Sequence, residues 1–304
     1  MPPDAELDPT RFRVRFSSAR GFRMAFVDEG SGPTLLLVHG WPETKRIWWR
    51  NVAPLARAGF RVIAPDLRGF GESDIAPDGF EDVPSHSRDL AALLDELGIA
   101  TCVPVAGDLG GAVIQDFARR FPSRVPRMVI FNSPLPFLKD KMTGLRTRPA
   151  AEAADYYLRQ GTDADALAQE LDSAAKRRRY IATFYGSRFW AHPGTFTRDA
   201  VDFMTEPFAD AAKLRASFGN YESSFAQALR SEPPLLAENP THTLILFGAS
   251  DHVIYPEFDR MAAQVFPDHV GPFIVRDAGH FLQWEAADVL NGAVMAFCRD
   301  LLPR

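Results

Sequence analysis

Four short stretches of this chain set reactive groups beside glycine. V-P-V-A-G-D-L-G-G-A-V-I (103–114) places one acid, Asp108, between an apolar run and a helix-like run, with Ala106, Gly110 and Gly111 around it. Such an acid either caps the helix that follows or stands at a strained strand-to-helix elbow, where the central residue attacks an electrophile and is usually serine. We read Asp108 as the nucleophile. A-G-H-F-L-Q-W-E (278–285) carries His280 on a loop, and L-I-L-F-G-A-S-D-H-V (244–253) ends a strand at Gly248 and offers Asp251. Nucleophile, second acid and histidine in that chain order form a relay: Asp251 holds the His280 imidazole in one tautomer and stabilises its charged form. L-L-L-V-H-G-W-P-E-T (35–44) supplies the backbone N–H of Trp41, which with that of Leu109 forms an oxyanion hole. His39 reads as a structural hydrogen-bonding residue and His252 as a surface one. The peptide before Pro42 is open to either isomer.

The apolar pattern dictates the elements that hold these groups. Phe12, Val14 and Phe16 alternate with arginines, as in a half-buried strand. Further strands are predicted over 22–30, 34–38, 61–66, 101–107, 127–132, 241–248 and 272–277. Helices are predicted over 44–58, 84–97, 110–121, 257–266 and 286–301. This alternation implies a mostly parallel sheet with helices on both faces. Ligands bind beyond the carboxyl ends of such strands, where Asp108 lies. Residues 134–239 show helical segments, around 150–159, 163–179 and 209–230, and no buried strand. The pattern predicts an α/β core (1–133 and 240–304) interrupted by a helical lid (134–239).

H-G-W-P-E, D-L-R-G-F-G-E-S-D (66–74), A-G-D-L-G-G and G-H-F-L-Q-W-E, taken in order, resemble the α/β-hydrolase fold over nearly the whole chain. Within it they resemble the aspartate-nucleophile branch, which includes epoxide hydrolases and haloalkane or haloacid dehalogenases. The resemblance implies a mostly parallel eight-stranded sheet with an inserted helical lid. A carboxylate displaces a leaving group from an sp³ carbon and leaves an alkyl ester, which water activated by His280 then hydrolyses. An epoxide oxygen needs O–H donors; a halide needs N–H donors. Epoxide hydrolases of this branch use two lid tyrosines. D-Y-Y-L-R-Q-G (155–161) resembles the first motif, with Tyr157 at the matching position and Tyr156 beside it. F-G-N-Y-E-S-S-F (218–225) resembles the second, with Tyr221 matching. A packed aromatic is the plainer reading of each.

The dehalogenase patterns fit less well. Leu109 stands where haloalkane dehalogenases carry tryptophan, and Trp41 where they carry asparagine or glutamate. Leu109, Ala112, Asn132, Ala154 and Asp155 replace the arginines, acid, histidine and tryptophan of fluoroacetate dehalogenases. Gly107 departs from the epoxide hydrolases, which place histidine before the nucleophile. The expectation is hydrolysis of a small apolar epoxide to a vicinal diol, with Trp41, Phe137, Phe189 and Phe218 lining the pocket. Dehalogenation is the alternative. A non-catalytic binding protein is a second alternative, opposed by the intact set Asp108, Asp251 and His280.

Composition narrows the classes further. The 304 residues are 46% hydrophobic and 24% charged, as in a globular protein, and the net charge of -5 favours no polyanion. K-R-R-R-Y (176–180) reads as a solvated helix face, so no nucleic-acid groove is expected. Cys102 and Cys298 are too few for a disulfide framework. The seven histidines show no ligand spacing, and no cofactor is implied. The start, M-P-P-D-A-E-L-D-P-T-R-F-R-V-R-F, lacks the layout of a signal peptide. Apolar runs reach about six residues, short of the ~20 of a membrane helix. A cytoplasmic monomer or homodimer is expected.

Overall fold

Leu35, Leu36, Leu37 and Val38 have no solvent contact and form the middle of a sheet. In the computed structural model, which describes residues 6–303, they belong to β3 (Thr34–Val38) of an eight-stranded sheet. The other strands are β1 (Val14–Ser17), β2 (Met24–Gly30), β4 (Arg61–Pro65), β5 (Val103–Ala106), β6 (Arg127–Phe131), β7 (His242–Gly248) and β8 (His269–Val275). Their spatial order is β1-β2-β4-β3-β5-β6-β7-β8. β2 runs antiparallel to both neighbours, and every pair from β4 to β8 is parallel. β3 and β5 are buried at every residue, as their unbroken apolar runs require. Each leucine or valine so buried contributes about 1.5–3 kcal/mol. β8 is an edge strand and starts three residues earlier than the pattern predicts. Pro272, with no N–H to offer a ladder, is tolerated there.

The helices are α1 (Val52–Arg57), α2 (Val83–Glu96), α3 (Asp108–Arg120), α4 (Ala151–Thr162), α5 (Ala164–Glu170), α6 (Ala174–Gly186), α7 (Arg198–Thr205), α8 (Ala211–Ser217), α9 (Gly219–Phe225), α10 (Phe258–Val265), α11 (Leu282–Glu285) and α12 (Ala287–Phe297). The single helix expected over 44–58 is a 3₁₀ turn, Lys45–Trp48, followed by α1. Proline is accepted only in a first turn, so Pro54 delays the α-helix to Val52. The helix expected over 163–179 splits because the Ser173 side chain caps α6. The one expected over 209–230 splits at Phe218.

Between β6 and β7 the chain is helical and contains no strand. This insertion packs onto the carboxyl ends of the strands. Tyr185 Oη donates to the Pro42 carbonyl (2.5 Å), Trp41 Nε1 to Ser217 Oγ (3.1 Å), and Arg46 to the Phe203 carbonyl (2.9 Å). The D-L-R-G-F-G-E-S-D stretch braces the loop beneath it. Asp66 accepts from Lys45 Nζ (2.6 Å) and two backbone N–H groups, and buried Arg68 pairs with Asp89 of α2 (2.6 Å). Among the described residues no helix is long and apolar enough to cross a membrane. The first five residues of the N-terminal stretch, and Arg304, lie outside the described residues.

Candidate active site

Asp108 is the first residue of α3, directly after β5, and its φ is 46°. A non-glycine residue in this region bears strain of about 1–3 kcal/mol. The elbow is held by the Asp108 N–H donating to the Asn132 carbonyl (2.8 Å) and by Ser133 Oγ donating to the Asp108 carbonyl (3.1 Å). Two neighbours have no room for a side chain. A Cβ on Gly40 would lie 2.5 Å from the Asp108 Cβ, and one on Gly107 would lie 2.4 Å from the Phe131 ring. Phe131 therefore fills the space that a larger residue before the acid would need.

The two remaining members of the relay converge on Asp108. His280 Nε2 lies 3.1 Å from Asp108 Oδ2, and His280 Nδ1 lies 2.9 Å from Asp251 Oδ2. Asp251 follows β7 and is fixed on both oxygens. Oδ1 accepts from the N–H groups of Val253 (2.7 Å) and Ile254 (3.1 Å), and Oδ2 from Asn132 Nδ2 (2.7 Å). Burial opposes charge on His280, but Asp251 and Asp108 outweigh it and raise its pKa well above the ordinary 6.5. The imidazole is thus an imidazolium held between two carboxylates.

Asp108 Oδ1 accepts from the backbone N–H of Trp41 (2.6 Å). The Leu109 N–H lies in the first turn of α3, where N–H groups have no intrahelical partner. The Trp41–Pro42 peptide is cis. His39 is buried, lies with Nδ1 2.9 Å from the Gly40 carbonyl, and accepts from the Leu67 N–H (2.9 Å). Burial lowers its pKa, so it serves as a neutral structural link. Glu43 sits beneath the site and accepts from the Gly40 N–H (2.6 Å) and Gln283 Nε2 (2.7 Å). Burial first, and the charge of Asp108 second, push its pKa up to about 7.

The insertion closes the site with aromatic rings. Tyr156 stacks on Trp41 (centroids 5.6 Å, planes 6° apart), and Phe184, Trp190 and Tyr221 pack edgewise around the pair. The Trp190 ring also meets the His280 imidazole at 4.7 Å. Tyr156 and Tyr221 meet edge to face, with ring centroids 5.8 Å apart. Burial and the charge of Asp108 raise both phenol pKa values well above 10, so both keep their protons. Tyr157, the residue expected from the motif, is 37% exposed and packs outward against Phe225 and one side of Tyr221. Successive residues of a helix point about 100° apart, so only one of the two tyrosines on α4 turns inward, and it is Tyr156.

Three expected pocket residues are also displaced. Phe137 is 58% exposed. Phe189 is half-buried against surface His252. Phe218 is wholly buried at the α8–α9 junction, in packing contact with Tyr180. Trp41 stands at the site, with its N–H on Asp108 Oδ1 and its ring against Tyr156. Asn132, Glu43, Phe184 and Trp190 were not singled out from the sequence as site residues. Asn132 and Glu43 carried a signal, one closing a strand and the other lying within H-G-W-P-E. Phe184 and Trp190 reach the site only through tertiary packing.

A profile of the alpha/beta hydrolase fold family matches residues 33–287. The chain is 30% identical to haloalkane dehalogenase 2 of Mycobacterium tuberculosis, over 96% of each chain. It is 25% identical to an epoxide hydrolase of Caballeronia sordidicola, over 93% of each. It is 26% identical to bifunctional epoxide hydrolase 2 of Sus scrofa over 95% of this chain, but spans only 56% of that protein's length. The solved structure of the epoxide hydrolase CorEH superposes with a TM-score of 0.81 at 21% identity, over 95% of this chain and 99% of that one. Profile, sheet order and strand-to-helix elbow agree, and the chain belongs to the alpha/beta hydrolase fold family.

Proposed function

We propose that this protein hydrolyses small apolar epoxides to vicinal diols through an ester on Asp108. The observation that carries the reading is the pair of buried, protonated phenols, Tyr156 and Tyr221, packed against Trp41 and edge to face with each other within the field of the Asp108 carboxylate. An epoxide oxygen leaves as an alkoxide and is stabilised by such O–H donors. Asp108 Oδ2 attacks the ring carbon, the C–O bond breaks, and a tyrosine proton passes to the oxygen. Oδ1 stays on the Trp41 N–H and becomes the ester carbonyl oxygen. Asp108 is now neutral, so one of the two charges holding the proton on His280 is gone. The imidazolium gives up its proton, which restores the phenol. Neutral His280 then takes a proton from water as the water attacks the Asp108 carbonyl carbon. The oxyanion forms on Oδ1, against the N–H groups of Trp41 and Leu109. Collapse expels the diol oxygen as an alkoxide, which takes the proton of the new Asp108 carboxyl group; the diol leaves, and the carboxylate and imidazolium are restored. Residues 134–239, which include helices α4–α9, act as the cap that carries the two donors over a core of residues 1–133 and 240–304.

Dehalogenation by the same nucleophile is the second reading, favoured by the 30% identity to haloalkane dehalogenase 2. One experiment separates them. His280→Gln lacks the base and is expected to stall at the ester when offered panels of epoxides and haloalkanes. Intact mass should rise by that of one whole epoxide, with the adduct on Asp108. A gain equal to a haloalkane less its hydrogen halide would overturn the epoxide reading and keep the nucleophile.

A further inference from the structure

Glu285 ends α11, five residues after His280, and its carboxylate accepts four hydrogen bonds from two separate parts of the chain. Oε2 takes the backbone N–H of Gly279 (3.0 Å), the backbone N–H of His192 (2.7 Å) and the Thr195 hydroxyl (3.1 Å). Oε1 takes the backbone N–H of Phe281 (2.9 Å). The backbone N–H groups of the residues on both sides of His280 are therefore pinned to one side chain. The N–H of His280 itself goes to the carbonyl of Trp190 (2.6 Å), whose ring lies against the imidazole. Contact is so close that a Cβ on Gly279 would lie 2.3 Å from that carbonyl and 2.8 Å from the His192 nitrogen.

We propose that Glu285 is a positioning residue that clamps the His280 loop to the 190–195 segment of the insertion and so sets the aim of the imidazole; this rests on the reading of His280 as the base. A carboxylate suits the place, because the three backbone partners can only donate and an ionised carboxylate only accepts, while the Thr195 hydroxyl divides its proton between Glu285 and the His192 carbonyl (2.7 Å). An amide would turn one oxygen into a donor and set it against N–H groups. Burial raises the Glu285 pKa, while the same four donors pull it back. Alkylation uses Asp108 and the tyrosines, and ester hydrolysis uses His280. A loosened clamp therefore acts chiefly on the second step.

The test compares the wild type with Glu285→Gln and, as a gentler variant that keeps the charge, Glu285→Asp. Each is labelled at histidine, and the His280 ring is titrated by NMR without substrate. Asp108, Asp251 and Glu43 are the ionisable neighbours of that ring, and none is altered. The expected result is a weakened low-field Nδ1–H signal and a lower His280 pKa in both variants. In single-turnover runs with an epoxide, ester hydrolysis should slow about 10²-fold, as misplacement of a reacting group by about 1 Å does, with alkylation within twofold of wild type. An unchanged imidazole signal in both variants, or equal loss in both steps, would overturn the clamp. The titration needs no substrate, so its outcome stands apart from the epoxide reading. That reading fails instead if His280→Gln traps no epoxide.

Discussion

At the scale of single residues, the charge on Asp108 does two things. In the proposed reaction it is the attacking group, and it helps to hold a proton on His280. A buried imidazole alone would lose its proton easily; here Asp251 and Asp108 reverse that tendency. Because the folded-state pKa is raised, this ion triad stabilises the fold fully below the ordinary value of 6.5. The gain is lost as the pH climbs through the raised value. In the proposed reaction, esterification of Asp108 removes half of the arrangement and turns an acid into a base at the step that needs one. Asp108→Asn imitates the neutral ester at nearly constant shape. It should lower the His280 pKa, read by NMR titration; a value equal to wild type would detach Asp108 from the protonation of His280.

At the scale of elements, the phase of α4 decides which tyrosine faces Trp41. D-Y-Y-L offers two tyrosines in a row, and a motif cannot tell which one the helix turns inward. Tyr156 stacks on Trp41 while Tyr157 faces Phe225. Tyr156→Phe and Tyr221→Phe should each slow alkylation about 10²-fold or more, the usual worth of a placed proton donor. Tyr157→Phe should stay within twofold of wild type in the same stopped-flow experiment, and the reverse order would restore Tyr157. The strand ends were legible for a simple reason: a buried strand needs an unbroken apolar run, and Asp108 and Asp251 each follow one, while His280 follows the short apolar run of edge strand β8. Asn132 follows one too, but an amide suggested no chemistry until its Nδ2 was found on Asp251. Trp190 and Phe184 were illegible because nothing local ties a residue of the insertion to a ring on another helix. Pro54 was legible and overlooked; it moves the start of α1 by its missing N–H.

At the scale of the whole molecule, Glu43 links the floor of the site to overall stability. The folded protein keeps its proton up to about 7, against an ordinary 4.5. The folded state thus binds a proton that the unfolded chain has already released. Stability falls as the pH rises from 4.5 to about 7 and stays lower above that, by on the order of 3 kcal/mol. Glu43→Gln should flatten this slope in urea melts across that range. The introduced amide still accepts from Gly40 N–H, and the Gln283 Oε1, buried without a partner, can take its N–H after the Gln283 amide rotates. An unchanged slope would remove Glu43 from the pH dependence of folding. The glycines at 40 and 107 bear on how such a protein can be diversified. Randomised codons at both positions would return glycine, since the smallest side chain already overlaps the Asp108 side chain or the Phe131 ring. New substrate preferences must therefore be sought in the inserted helices, where α4 and α9 present the aromatic wall, and the elbow is passed on unaltered.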